Sequence, residues 1–303
     1  MNEKDVLVIG SLNIDKIYRV DSLPQNGETI QASNVFQRAG GKGLNQAVAV
    51  ARSNGNISLL GGLGEDEEGE YLYEVLRKEN ISAEYIKKSN MFTTGEAIIL
   101  VDKNGENIII TYPGANRLLN DLNPRDDTNI IRDSKVVLMH WDINSKVGEK
   151  FILESYANNT PVLLNLAPVK KINKSIFDKI EILIVNEIEA FQLTNIKLNY
   201  DEDVKNFGNK LINYGCNNVI VTLGEKGAYV NNGKEDKFIE APNVKAVDTT
   251  AAGDTFLGYL ANYYTEKSIF EATNISIKAA SVAVTKMGAV DSIPYNNEII
   301  SSK

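Results

Sequence analysis

The sequence predicts an α/β protein: a doubly wound, mostly parallel sheet flanked by helices, with a small β-sheet lid beside it. Three observations carry this. Short aliphatic runs recur at 6–9, 57–60, 136–139, 162–165, 182–185 and 219–223, the length expected of strands buried on both faces. From residue 135 onward, helical stretches such as 146–157 and 203–214 lie between these runs, and alternation of that kind implies a parallel sheet with ligands at the C-terminal ends of its strands. A third group of segments, 17–20, 28–38, 95–102 and 106–112, alternates apolar with polar residues around turn-forming residues, which suggests a separate small sheet or, equally, an edge extension of the main one. No internal repeat or low-complexity linker interrupts the chain, so 1–303 reads as one domain whose lid strands come from about 14–38 and 94–113.

Composition narrows the function. The 303 residues are 43% hydrophobic and 24% charged, as in a soluble globular protein. A formal charge of −8 argues against non-specific nucleic-acid binding, which needs an electropositive surface. No apolar run approaches a membrane span and the first residues lack a signal-peptide core, so the expected location is cytoplasmic. Cys216 is the only cysteine and His140 the only histidine. A disulfide, a thiolate zinc cluster and a multi-histidine metal site are thereby excluded, and acid–base work falls to carboxylates.

In chain order, 6–9 is a first buried strand ended by Gly10. In Gly10-Ser11-Leu12-Asn13-Ile14-Asp15, Asn13 and Asp15 share one face of an extended backbone. They suit gripping neighbouring hydroxyls of a sugar, or a turn with local backbone bonds. Ala39-Gly40-Gly41-Lys42-Gly43-Leu44-Asn45-Gln46 lets backbone approach a ligand before a helix at 47–53, but lacks the spacing of a P-loop. Gly61-Gly62-Leu63-Gly64, followed by Glu65, Asp66, Glu67 and Glu68, fails the dinucleotide-binding spacing and would repel a pyrophosphate; it reads as a structural lead into a helix at 71–78. His140-Trp141-Asp142 follows the run 136–139, and the imidazole reads as a partly buried, satisfied group. Asn186-Glu187-Ile188-Glu189 offers carboxylates to a hard cation or to a helix dipole. Thr222-Leu223-Gly224-Glu225-Lys226-Gly227 leaves room for a nucleotide, or is a plain hairpin turn.

Val247-Asp248-Thr249-Thr250-Ala251-Ala252-Gly253-Asp254 precedes a helix at 256–264. Three small residues, Ala251 to Gly253, clear the backbone so that successive N–H groups and the helix dipole converge on an anion. Asp254 is placed either as a general base beside that anion or as a cap on free helix N–H groups. A long amphipathic helix is expected at 269–286, with a face of small residues.

In this order the stretches resemble the signatures of the ribokinase family of sugar and nucleoside kinases, also called the PfkB family. The resemblance runs through Gly40-Gly41-Lys42-Gly43-Leu44-Asn45, the Gly-Ala-Asn turn at Gly114-Ala115-Asn116, Asn186-Glu187-Ile188-Glu189, Thr222 to Gly227 and Asp248 to Asp254. It implies ATP-dependent phosphorylation of a sugar, with D-ribose at O5 as the leading expectation and deoxyribose, a nucleoside or another furanose as the alternative. Asp254 would be the base, with the Ala251, Ala252 and Gly253 backbone as anion hole. Asn13, Asp15, Gly41, Lys42, Asn45 and Asp142 would hold the sugar; the family usually has Glu where Asp142 stands, a departure that points to a shifted or different sugar. Asn186, Thr222, Gly224, Gly227 and Gly253 would face ATP. Glu189 would orient Mg2+ through water. The resemblance further implies K+ bound by Asp248, Thr250, Ala283, Lys286, Gly288 and Ser292, and a homodimer paired through the lid. No chemistry is assigned to Asn116. A non-catalytic sugar-binding regulator and a dinucleotide-dependent oxidoreductase are more distant readings.

Overall fold

The computed structural model describes residues 5–126, 128–170 and 172–300, apart from the side chain of Ile300. The chain runs β1 (Asp5–Ile9), β2 (Asn13–Arg19), β3 (Asn34–Gly40), α1 (Lys42–Arg52), β4 (Ile57–Gly64), α2 (Glu67–Lys78), β5 (Ile86–Ser89), β6 (Gly95–Val101) and β7 (Asn107–Tyr112). It continues through α3 (Thr128–Arg132), β8 (Ser134–His140), α4 (Ser145–Ala157), β9 (Val162–Asn165), β10 (Ile182–Asn186), α5 (Glu187–Thr194), α6 (Asp201–Asn213) and β11 (Asn218–Thr222). The last elements are β12 (Ala228–Asn231), β13 (Asp236–Ile239), α7 (Ala252–Tyr264), α8 (Ile269–Ala283) and α9 (Asn296–Ile300).

Among the described residues the main sheet has nine strands in the order β13-β12-β11-β10-β9-β8-β1-β4-β5. Pairings from β5 to β11 are parallel, and β12 and β13 add an antiparallel edge. Helices cover both faces, which is why the central strands are aliphatic on both sides. One core layer gathers Val8, Leu44, Val48, Leu138, Phe256, Leu260 and Ile277; the other gathers Ile9, Met139, Trp141, Phe151, Leu164 and Phe207. Winding reverses between β1 and β8, and in open α/β sheets that is where ligands bind. Cys216 is buried at 4% exposure, and burial pushes its thiol up to about 12. No helix among the described residues is long and apolar enough to cross a membrane.

The second sheet is separate, in the order β3-β2-β6-β7, with β2 and β6 parallel and the outer pairs antiparallel. The expected strand at 28–38 is shorter than the alternation suggested. Residues 28–33 are not strand, because β2 ends at Arg19, whose carbonyl accepts from Ser33 N–H at 2.8 Å, so the ladder with β3 begins only at Asn34. The segment at 17–20 instead begins at residue 13, so Asn13 and Asp15 belong to this second sheet.

Three other boundaries moved. The helix expected at 47–53 starts at Lys42, because Gly41 at φ 94° supplies the left-handed turn into it. Gly61 to Gly64, expected as a structural lead into a helix, continue β4, since β5 provides their ladder partners. Asp66 then caps α2 through Gly69 N–H at 2.8 Å and accepts from Thr94 N–H and Oγ1 at 2.7 and 2.6 Å, so the acidic stretch is structural. The helix expected at 269–286 stops at Ala283: Thr285 and Lys286 N–H fold back on Val282 and Ala283 carbonyls in a tightened last turn, and Gly288 turns the chain at φ 96°.

Candidate active site

Asp254 lies in the first turn of α7, against the first turn of α1. Its Oδ2 accepts from Asn45 Nδ2 at 2.9 Å and its Oδ1 from Gln46 Nε2 at 3.0 Å. It does not cap its own helix, whose N-cap residue is Ala251 with no side-chain cap bond. Burial drives its carboxyl above the ordinary range, opposed by the two amides and by His140 and Lys42. Ala251 sits at φ 59°, and a left-handed residue followed by helix folds successive N–H groups into a concave nest. Ala252 N–H bonds Thr249 O at 3.2 Å. A Cβ placed on Gly253 would meet nothing within 4 Å, so that residue borders open space.

Asp15 faces the same space from β2. Burial, then the charge of Asp254, pushes its carboxyl up to about 6. A Cβ on Gly40, its cross-strand neighbour's end residue, would stand 2.2 Å from Asp15 Oδ2, so the glycine makes room for that carboxylate. A Cβ on Gly41 would lie 2.7 Å from Asn13 N, which binds the α1 entrance tightly to β2. Asn13 Oδ1 accepts from Asn116 Nδ2 at 2.9 Å. Asn116 also pairs with both backbone groups of Leu12, at 2.9 and 3.0 Å, so it braces the turn that carries Asn13.

Asp142 follows β8 across the switch point. Its Oδ2 lies 2.7 Å from His140 Nε2. Burial raises its pKa, but His140, Lys42 and Lys170 together hold the carboxyl below the ordinary range. Lys42 also acts on Asp254 and Glu189, so its ammonium stands among three candidate carboxylates. The imidazole expected to be partly buried and satisfied is completely buried and not satisfied: neither ring nitrogen makes an aligned hydrogen bond, although Nε2 lies within 2.7 Å of Asp142.

The candidate ATP residues lie on neighbouring strand ends: Asn186 of β10 is in register with Thr222 of β11. Asn186 and Glu189 form a reciprocal cap, each backbone N–H bonding the other's side chain at 2.8 Å. Burial raises the Glu189 pKa against that bond. Leu223 N–H bonds Gly227 O, and residues 223–227 join β11 to its antiparallel neighbour β12 with Gly224 at φ 57° and Gly227 at φ 99°.

Of the expected cation ligands, three converge. Asp248 Oδ1 accepts from Thr250 N–H and Oγ1 at 2.9 and 2.6 Å, and Oδ2 from Gly288 N–H at 2.9 Å. These bonds hold its pKa low against burial. Ser292 Oγ donates to Ala289 O at 2.8 Å, Ala283 O accepts Lys286 N–H, and Lys286 Nζ reaches Glu298 at 2.5 Å. The lid strand β3 approaches this loop through Arg38 Nη1, 3.0 Å from Asp291 Oδ2.

Sequence reading missed Gln46, Asn116 and His140 as contributors. Gln46 and His140 carried a usable signal, being polar residues in stretches otherwise bound for the interior. A groove of 570 Å³ lined by Pro161, Asn218, Tyr264 and Lys267 opens at the opposite end of the sheet and includes none of the candidate residues.

Comparison with known proteins identifies the family. The family model described as pfkB family carbohydrate kinase matches residues 3–296. A ribokinase of Staphylococcus aureus is 33% identical over 300 residues, spanning 97% of this chain and 98% of that protein. A deoxyribokinase of Salmonella typhi is 32% identical over 295 residues, spanning 96% and 95%. The structure of Arabidopsis thaliana ribokinase complexed with ribose and ATP superposes with a TM-score of 0.92 at 30% identity, covering 98% of this chain and 97% of that one. The chain belongs to the pfkB family of carbohydrate kinases.

Proposed function

We propose that the protein transfers the γ-phosphoryl group of ATP to the O5 hydroxyl of D-ribose, with Asp254 as general base. The observation that carries the reading is the placement of Asp254: buried, raised in pKa, aimed by Asn45 and Gln46, and set at the start of α7 beside the left-handed turn at Ala251. A base needs a pKa lifted toward the working pH and a fixed orientation, and this residue has both. In the reaction, the sugar hydroxyl gives its proton to Asp254 as its oxygen bonds to phosphorus, while the bond from phosphorus to the ADP oxygen breaks. First-turn N–H groups of α7, at Gly253 and Asp254, lack intrahelical partners and suit charge on the transferring phosphoryl. Ala251 and Ala252 shape that nest.

Asn13, Asp15, Gly41, Lys42, Asn45 and Asp142 would hold the sugar in front of Asp254. Asn186, Thr222, Gly224, Gly227 and Gly253 would face the nucleotide. Among the described residues no three His, Cys, Asp or Glu gather as a metal cage. Magnesium fits without one, since it keeps several waters and binds through phosphates; Glu189 has one carboxylate oxygen outside its cap bond to offer such a water. The magnesium would neutralise charge on the nucleotide phosphates. The oxygens of Asp248, Thr250, Ala283, Lys286, Gly288 and Ser292 suit a hard monovalent cation, and we assign K+ there. The exposed lid face is read as a homodimer contact, and the cell compartment as the cytoplasm.

Deoxyribose is the second reading, favoured by Asp142 and by the deoxyribokinase among the relatives. The test is ADP release with magnesium-ATP against D-ribose, 2-deoxyribose, fructose, adenosine and inosine, in potassium and in sodium. Fastest turnover on ribose, higher in potassium, is the expected result. Turnover confined to another sugar would replace ribose but keep Asp254, and no turnover on any would overturn the kinase reading.

A further inference from the structure

One buried side chain is left without a task by the reaction just described. His140 closes β8 at the switch point with no exposed surface. Burying an imidazole is costly unless its nitrogens find partners, so its position calls for a reason. Its surroundings are tight: a Cβ on Gly10 would lie 2.8 Å from His140 Cε1 and 2.8 Å from Gly43 Cα, so the ring is lodged under the contact between β1 and α1.

The backbone around Asp142 is fixed from both sides. Trp141 N–H bonds Asn165 and Ala167 carbonyls, both at 3.1 Å, and the indole is fully buried, packed against Gly148. Lys170 Nζ bonds Asp142 O at 2.7 Å. With the backbone held, only the torsions of the Asp142 side chain remain free. His140 Nε2 meets that side chain at Oδ2, at 2.7 Å, with the ring N–H out of line for a hydrogen bond in this conformation. Catalytic contacts commonly tighten only when substrate is bound. Asp142 Oδ1 is sealed from solvent without a partner, while the side chain keeps 31% exposure. Oδ2, the oxygen facing His140, is therefore the one a ligand can reach.

We propose that His140 is a positioning residue for the sugar: it sets the rotamer of Asp142, so that Oδ2 stands where a sugar hydroxyl is accepted. The inference rests on the sugar-kinase reading above and adds to it a contact one residue removed from the ligand. A hydroxyl then donates to Oδ2 on one side while Nε2–H donates on the other, which a carboxylate oxygen accommodates through its two lone pairs.

The test measures steady-state kinetics of the full-length protein carrying His140→Leu or His140→Gln, each alone and combined with Asp142→Asn, on the sugar that the wild type turns over best. His140→Leu is expected to lower kcat/KM for the sugar about 10–100-fold, the range for losing a hydrogen bond to a charged group, with KM for ATP within about twofold. His140→Gln, whose amide N–H reaches the same oxygen, is expected to recover most of that. In the Asp142→Asn background, His140→Leu is expected to cost nothing further, because the residue it positions is already altered. Where leucine prevents a cooperative melt, His140→Asn, polar but too short to reach Oδ2, takes its place. An equal loss in both backgrounds would mean that His140 acts elsewhere, on Asp254 above all, and would overturn the proposal; so would an equal rise in KM for ATP. A wild type that phosphorylates no sugar removes the kinase reading itself, and this inference with it.

Discussion

Both carboxylate oxygens of Asp254 accept an amide hydrogen bond, yet burial still lifts its pKa. Asp254→Asn keeps the shape and removes the proton acceptor; turnover is expected to fall roughly 10²–10⁴-fold while ATP affinity, by calorimetry, stays near wild type. Near-normal turnover would strip Asp254 of the base role. Asp15 gives a pH signature instead. Its pKa is 3.8 in the reference state and about 6 in the fold, so the unfolded chain releases this proton first. Below pH 3.8 the group has no effect; between 3.8 and 6 stability falls as pH rises; above 6 the loss is complete. Asp15→Asn should therefore match wild type in urea midpoint near pH 3.8 and exceed it at pH 7, and a midpoint no higher at pH 7 would refute the assignment. At this scale the sequence was most legible where several unusual residues adjoin, as in Ala251 to Asp254. Asn116 was not legible and Gln46 only as a polar residue bound for the interior, because what sets their role is a partner on another element, 104 and 208 residues away.

Elements were legible by type and less so by boundary. Aliphatic runs located the main-sheet strands, since a strand covered on both faces has no alternative pattern. Start and end points escaped wherever glycine geometry or a distant partner decided them: Gly41 started α1 five residues early, and β5 drew Gly61 to Gly64 into β4. Element contacts also hold a buried ion pair. Arg52 at the end of α1 donates to Glu79 at the end of α2, at 2.6 and 3.0 Å, with side-chain exposures of 9% and 5%. The same guanidinium bonds the Val290 and Ile293 carbonyls and lies over the Tyr295 ring. Three parts of the chain thus meet at one charge. Glu79→Ala removes the one carboxylate that bonds this buried charge directly, leaving only the field of Asp291 and Glu298, and is expected to destabilise the fold by about 3–5 kcal/mol in denaturant titration. A cost under about 1 kcal/mol would mean that the carbonyls and solvent satisfy the arginine alone.

For the whole molecule, the second sheet exposes apolar side chains on both of its faces. Strand register sets Val35, Ile108 and Ile110 on one face, at 56%, 41% and 57% exposure, and Phe36 and Ile109 on the other, at 41% and 55%. Contiguous apolar surface of this kind marks an association site. Sedimentation velocity of the wild type is expected to give a dimer, and Phe36→Asp with Ile109→Asp a monomer of 33.4 kDa with an unchanged melting temperature. A wild-type monomer would remove the dimer reading. The sequence announced this sheet through its alternation but not that apolar residues would stay exposed on both faces, since that depends on how β2 and β6 pair and on what covers them.

The solitary thiol gives an experimental opening. Cys216 is nearly sealed and held protonated far above neutral pH, so maleimides, which attack thiolates, should pass it by. Lys103 sits exposed at the hairpin tip between β6 and β7. A dye attached through Lys103→Cys would then be the sole label on an otherwise native background, reporting by its visible emission, in real time, whether the lid travels when a sugar arrives.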